Sequence, residues 1–316
     1  MTTMRRNILR RFGLLAALAA ARPAQAGPIL DWLRERRAER SDLDDDGTSD
    51  GPILGRQYAP PPDIDVQRDV AYGNDPAQRL DVYRRPGAKD GPVMVMVHGG
   101  GWRRGDKAGP SMVKNKVQHW VGKGWVFVSI NYRLVPDANP VEQGRDVGRA
   151  LAFVQSRARE WGGDPSRVVL MGHSAGAHLV ALLTSDSSLG APYGLQPWAA
   201  TIAIDSAAYD VVAIMNRRHW GLYDKAFGSD PELWRAASPI HRLNGKPAAP
   251  MLLVCSSRRD DACPPAREFA EKAERMGGRA RVLPVALNHA QINEQLGEGG
   301  DYTEQVNEFL RATGRL

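Results

Sequence analysis

The sequence predicts an α/β fold, a mostly parallel twisted sheet with helices on both faces. Two observations carry this expectation. Short runs such as Pro92–Val97 (PVMVMV), Trp125–Ile130 (WVFVSI), Arg167–Met171 (RVVLM) and Met251–Cys255 (MLLVC) are apolar along nearly their whole length. Strands buried on both faces read this way, whereas half-exposed strands alternate. Between these runs lie segments with helical spacing, such as Pro140–Trp161 with Val147, Leu151 and Val154 on one stripe. Alternating strand and helix signals mean parallel strands joined by crossovers.

The elements follow in order from residue 63. Asp65–Tyr72 and Arg79–Tyr83 are expected to pair as an N-terminal hairpin. Pro92–Val97, Trp125–Ile130 and Arg167–Met171 are buried strands. A helix is expected over Ala175–Thr184 and two further apolar strands over Ala199–Ile204 and Met251–Cys255. Ala266–Met276 reads as a helix stopped by Gly277-Gly278, Arg281–Ala286 as the last strand and Tyr302–Thr313 as the last helix. Residues 205–249 are long for one connection and contain Trp220, Tyr223, Phe227 and Trp234. They are expected to form a cap-like insertion.

The chain of 316 residues carries 42 Lys+Arg and 36 Asp+Glu, a formal net charge of +6. Such a balance raises the question of an acidic partner. The location of the charge answers it. Residues 1–26 combine a basic start (Arg5, Arg6, Arg10, Arg11), an apolar run from Phe12 to Ala21 and the small-residue site Ala24-Gln25-Ala26. This is the tripartite pattern of a signal peptide cleaved after Ala26, and export to the periplasm or medium is expected. The tag holds five arginines and no acid, so the mature charge is +6 − 5 = +1, and nucleic acid is not an expected partner. No other run approaches the roughly 18 apolar residues of a membrane span, so stable membrane insertion is not expected.

Residues 27–62 read as a flexible linker. Asp31–Arg40 is expected to form a short charged helix. Asp42, Asp44, Asp46 and Gly47 match the opening of a calcium loop, but the twelfth position is Ile53, where a bidentate Glu is required. The segment is therefore read as solvated chain, and no metal is expected.

Gly172-His173-Ser174-Ala175-Gly176 is a G-x-S-x-G sequence between an expected strand and an expected helix. That context suits a sharp turn projecting the Ser174 hydroxyl as a nucleophile. His98-Gly99-Gly100-Gly101-Trp102 ends the strand VMVMV. Three consecutive glycines cost conformational entropy, and they free backbone N–H groups to face a cavity. Gly100 and Gly101, with Gly99 as alternative, are the candidate donors to an oxyanion, together with the N–H of Ala175; His98 and Trp102 flank and support them. The spacing fits no phosphate-binding glycine loop.

A nucleophile of this kind needs a base and a carboxylate, in chain order Ser, Asp or Glu, His. Asp260 and Asp261 follow the strand MLLVC in the loop SSRRDDACPP, and only His289 lies downstream of them. His289 is thus the candidate base, expected on a loop after RVLPVA. Asp260 and Asp261 are the candidate acids, and Asp205, after AATIAI, is an outside candidate. His178 reads as helix packing, and His119 and His241 as surface residues. Cys255 and Cys263 bracket the acid loop. They read either as a bridge in an oxidising compartment or as two buried thiols.

Taken together, VMVHGGGWRRGDK, INYRLVPD, WGGDPSRVVLMGHSAGAHLVALL and ASPIHRL resemble the α/β-hydrolase superfamily over about residues 65–312. They look most like the secreted HGGGW-type esterases and lipases, similar to hormone-sensitive-lipase-like, feruloyl and acetyl-xylan esterase-like and kynurenine-formamidase-like enzymes. The resemblance implies an α/β-hydrolase domain over 63–316 and a Ser-His-Asp carboxylic ester hydrolase. It implies a small-molecule ester as partner and no cofactor. The D-x-x-[CV]-P spacing of related hydrolases favours Asp260 over Asp261. Two other activities compete, an arylformamidase using the same residues and a binding module that keeps the fold without catalysis.

Overall fold

The computed structural model describes residues 57–314 and 316. The expected signal peptide, the charged helix at 31–40 and the acidic stretch at 42–50 lie outside the described residues. Eight strands form one sheet: β1 (Asp65–Ala71), β2 (Arg79–Arg84), β3 (Gly91–Val97), β4 (Val126–Ile130), β5 (Gly163–His173), β6 (Ala200–Ile204), β7 (Met251–Ser256) and β8 (Ala280–Val285). Their spatial order is β1-β2-β4-β3-β5-β6-β7-β8. β1 and β2 form the expected antiparallel hairpin, β2 lies antiparallel to β4, and all later pairings are parallel.

Every residue of β3, β4, β6 and β7 is buried. The pleat divides these residues between two cores. Val93, Val95 and Val97 face one side with Leu151 and Leu179, and Met94 and Met96 face the other with Val113, Trp120 and Phe309. The helices covering the sheet are α1 (Pro110–Lys116), α2 (Pro140–Arg157), α3 (Ala175–Ser185), α8 (Cys263–Arg275), α9 (His289–Glu294) and α10 (Gly300–Ala312). α2 begins with a capping box: the Asn139 side chain accepts from Val141 and Glu142 N–H, and the Glu142 carboxylate accepts from Asn139 N–H. Its stripe Val147, Leu151 and Val154 is fully buried, at about 1.5–3 kcal/mol for each large side chain. α1 runs on into a π-helical turn at Val117–Val121.

Residues 205–249 fold into four short helices: α4 (Val211–Met215), α5 (Gly221–Phe227), α6 (Pro231–Ala237) and α7 (Pro239–Arg242). Three features differ from expectation. α8 starts at Cys263, three residues early, because the Pro264-Pro265 pair occupies its first turn, where a missing N–H costs nothing. His289 opens α9 instead of sitting on a free loop, because Asn288 and Gln291 form a second capping box there. The helix α1 has no counterpart among the elements expected from the sequence. No helix among the described residues is long and apolar enough to cross a membrane.

Candidate active site

The C-terminal ends of the parallel strands meet at one edge of the sheet, where open α/β folds place their ligands. Ser174 follows β5 there with φ 56° and ψ −119°, a conformation non-glycine residues avoid. Close backbone packing holds it. A Cβ on Gly176 would fall 2.3 Å from the carbonyl oxygen of Val97, and one on Gly172 would fall 2.4 Å from that of Gly176. Only glycine permits these approaches, so the strand can turn directly into α3. Ser174 N–H donates to Ile204 O at 2.9 Å, tying the turn to β6.

The Ser174 Oγ lies 3.0 Å from His289 Nε2. His289 Nδ1 lies 2.6 Å from Asp205 Oδ2. Asp205 ends β6 at φ 56° and is fully buried. Its Oδ1 accepts from Ser256 N–H at 2.7 Å and its Oδ2 also accepts from Arg259 Nη1 at 2.9 Å. Burial alone would raise the Asp205 pKa. The His289 hydrogen bond, the charges of His289 and Arg259 and the Ser256 N–H outweigh it and hold the carboxyl well below the usual range. An ionised Asp205 takes the Nδ1 proton of His289 as a hydrogen bond. The Nε2 lone pair then faces Ser174, whose hydroxyl donates to it.

The expectation for Asp260 is not met. Asp260 is exposed and makes no hydrogen bond or ion pair among the described residues. Asp261 pairs with Arg259 at 3.1 Å rather than with His289. The reason is geometric. β6 lies between β5 and β7, and the left-handed turn at Asp205 aims its carboxylate across the tip of β7 to His289. The end of β7 and the loop after it contribute instead the Ser256 N–H and the Arg259 guanidinium. It is closed by a Cys255–Cys263 disulfide. Sequence reasoning missed Arg259, although it stands beside the two aspartates it weighed.

The His98–Trp102 loop passes directly over Ser174. A Cβ on Gly99 would lie 2.9 Å from Ser174 Cβ, and Gly100 and Gly101 have φ of 107° and 58°. His98 Nδ1–H donates to Gly99 O at 2.7 Å, and its ring stacks on Tyr132 at 4.5 Å. Burial lowers the His98 pKa, favouring the neutral ring. Trp102 Nε1–H donates to His178 Nδ1 at 3.0 Å, and His178 Nε2–H donates to Ala237 O at 2.7 Å. Both bonds require one neutral tautomer, and burial pushes the His178 pKa down to about 4. His178 therefore does more than pack: it links the glycine loop to α6. Trp102 also meets Phe227 at 4.8 Å and Tyr223 at 5.9 Å, both from α5. His173 Nε2–H donates to His289 O at 3.0 Å and its ring lies 4.7 Å from that of His289, supporting it from below.

Among the described residues no cluster of His, Cys, Asp or Glu could hold a metal ion. The arrangement is a nucleophile, a base, a buried carboxylate and a turn of backbone N–H groups, a constellation suited to acyl transfer.

Residues 80–193 match a protein-family model described as BD-FAE. Esterase LipC of Mycobacterium tuberculosis is 31% identical over 227 residues, covering 65% of this chain and 54% of LipC. Esterase LipQ of the same organism is 33% identical over 245 residues, covering 70% of this chain and 56% of LipQ. The chain thus spans a little over half the length of these two relatives. Among solved structures, Thermogutta terrifontis esterase 2 phosphoramylated by tabun is 25% identical with a TM-score of 0.64, covering 81% of this chain and 96% of that one. The sheet order, the serine turn after β5 and these matches agree: the chain has the α/β-hydrolase fold and is similar to esterases of that fold.

Proposed function

We propose that the protein is an exported serine carboxylesterase acting on small or medium acyl esters through Ser174, His289 and Asp205. The observation that carries this reading is the unbroken chain Ser174 Oγ–His289 Nε2 and His289 Nδ1–Asp205 Oδ2, at 3.0 and 2.6 Å, beneath the glycine loop. Ser174 Oγ attacks the ester carbonyl while His289 Nε2 takes its proton. The carbonyl oxygen becomes an oxyanion, which accepts from the N–H groups of Gly100, Gly101 and Ala175. The last is the first N–H of α3 and has no partner within the helix. The tetrahedral intermediate collapses, the imidazolium of His289 protonates the departing alkoxide, and an acyl-Ser174 ester remains. Water then attacks that ester with His289 as base, and the acid leaves with Ser174 reprotonated. Asp205 stays ionised throughout and stabilises the imidazolium.

The rings of Trp102, Tyr223 and Phe227 pack against one another beside the glycine loop, and a short acyl chain is the expected fit against them. The disulfide suits an oxidising compartment, to which residues 1–26 are the expected address. The test is hydrolysis of p-nitrophenyl esters of increasing chain length, with Ser174→Ala as control. The expected result is measurable turnover that falls with chain length and vanishes in the variant. Wild type no faster than Ser174→Ala on every ester refutes the proposal. The exported protein should begin at Gly27 by mass spectrometry; an intact leader would refute that part alone.

A further inference from the structure

We infer that Arg259 is a positioning residue for the acid–base pair, fixing the carboxylate of Asp205 and, through it, the ring of His289. The inference rests on the esterase reading above. The Arg259 side chain is 19% exposed, and its Nη1 lies 2.9 Å from Asp205 Oδ2 and 2.8 Å from His289 Nδ1. Its Nη2 reaches Asp261 at 3.1–3.2 Å. Nδ1 cannot donate to Asp205 and accept from Arg259 with the same orbital. The 2.6 Å contact with an ionised carboxylate settles which it does: the Nδ1 proton goes to Asp205. The guanidinium therefore donates to Asp205, and its nearness to Nδ1 leaves a fixed positive charge beside the imidazole.

Oδ2 accepts from both His289 and Arg259 while Oδ1 accepts from Ser256 N–H, so the carboxylate plane is held from three directions. That pins the His289 ring in line with Ser174. Asp261 pairs with the guanidinium from its far side. The other ionisable groups around the pair are His173, against the His289 ring, and Tyr209, Tyr223 and Tyr302, whose burial pushes their phenols up and keeps them neutral. Lys116 lies further away, bonded to Asn293 O at the far end of α9. Arg259 is the one full positive charge in direct contact with both Asp205 and His289 among the described residues.

Arg259 thus stands where the sequence led one to expect the acid, on the loop after β7. The disulfide of Cys255 and Cys263 closes that loop and holds Arg259 over the carboxylate of Asp205.

The experiment compares Arg259→Ala and Arg259→Lys with wild type on p-nitrophenyl acetate, measuring kcat and KM across pH. Arg259→Ala should lower kcat about tenfold to a hundredfold, the worth of one charge-assisted hydrogen bond, with KM within about twofold. Arg259→Lys, which restores a charge without the planar fork, should recover only part of kcat. Millimolar guanidinium added to Arg259→Ala should raise its kcat. If neither Lys nor guanidinium restores any of the kcat lost in Arg259→Ala, the residue acts only as packing and the inference is overturned. If kcat is unchanged in Arg259→Ala, it is overturned outright. Either outcome leaves the esterase reading standing, since that reading fails only when wild type matches Ser174→Ala.

Discussion

Replacing Asp205 by Asn separates the observed acid from the expected one. Oδ1 of Asp205 accepts from a backbone N–H that cannot move, that of Ser256. An amide at this position must therefore keep its oxygen there and turn its NH2 toward Arg259 and His289 Nδ1. Two donors then face the guanidinium, and Nδ1 can satisfy the amide only by becoming an acceptor. The ring proton moves to Nε2, the nitrogen 3.0 Å from Ser174 Oγ. A base already carrying a proton there cannot accept another from the serine. The equivalent change in a serine protease triad lowers kcat about 10⁴-fold through this tautomer switch, which corresponds to about 5 kcal/mol of transition-state stabilisation at 1.36 kcal/mol per decade. The loss should fall on kcat with KM little changed, since no substrate contact is removed. Asp260→Asn, at an exposed side chain, should leave both parameters within about twofold. The assay is steady-state hydrolysis of p-nitrophenyl acetate, with Ser174→Ala as the floor and thermal melts to confirm folding. Asp205→Asn retaining a tenth or more of wild-type kcat, or Asp260→Asn falling with it, would refute the argument.

The buried His178 should make stability depend on pH in a defined window. Its folded pKa of about 4 lies below the ordinary 6.5, so the unfolded chain binds more protons between these values, and stability contributed by the neutral ring is full above pH 6.5 and lost as pH falls to 4, by about 3 kcal/mol; urea unfolding at pH 7, 5.5 and 4 measures this, and His178→Asn should flatten that part of the curve. Adding a methyl at Gly176 places carbon 2.3 Å from Val97 O, backbone that cannot yield, so Gly176→Ala should lower the melting temperature by several degrees and abolish turnover, whereas a fully active variant would contradict the packing. The Cys255–Cys263 bridge spans eight residues, and its removal should cost about 2–3 kcal/mol by loop-closure entropy; dithiothreitol should lower the urea midpoint accordingly and depress kcat by releasing the Arg259 loop.

The sheet was legible because burial on both faces leaves a plain mark, runs such as VMVMV and MLLVC with no charged or strongly polar alternate. The nucleophile and base were legible because their surroundings are local: Gly172 and Gly176 flank the turn, and His289 follows the last strand. The acid was not. Which carboxylate reaches His289 depends on how far the tips of β6 and β7 project, and that is set by the sheet's register rather than by any residue near Asp260. Asp205 directly follows one apolar strand and Asp260 lies in the loop after another, and sequence offers no measure of which points inward. Helix α1 escaped for another reason. Its buried stripe of Met112, Val113, Lys116, Val117 and Trp120 contains a lysine, which breaks the apolar period. The structure accommodates it by giving Lys116 Nζ the carbonyl of Asn293 at 2.6 Å.

The hydrogen bond between Ser174 and His289 joins residues 115 positions apart. The intervening chain must lay down β6, β7 and β8 in parallel before the two can meet, and such pairings form late because each closes a long loop. A nascent or partly threaded chain can hold the serine turn and even the carboxylate while lacking any base. If the proposed turnover is followed during refolding, it should reappear only with docking of β8 and α9, since His289 lies 115 residues beyond Ser174.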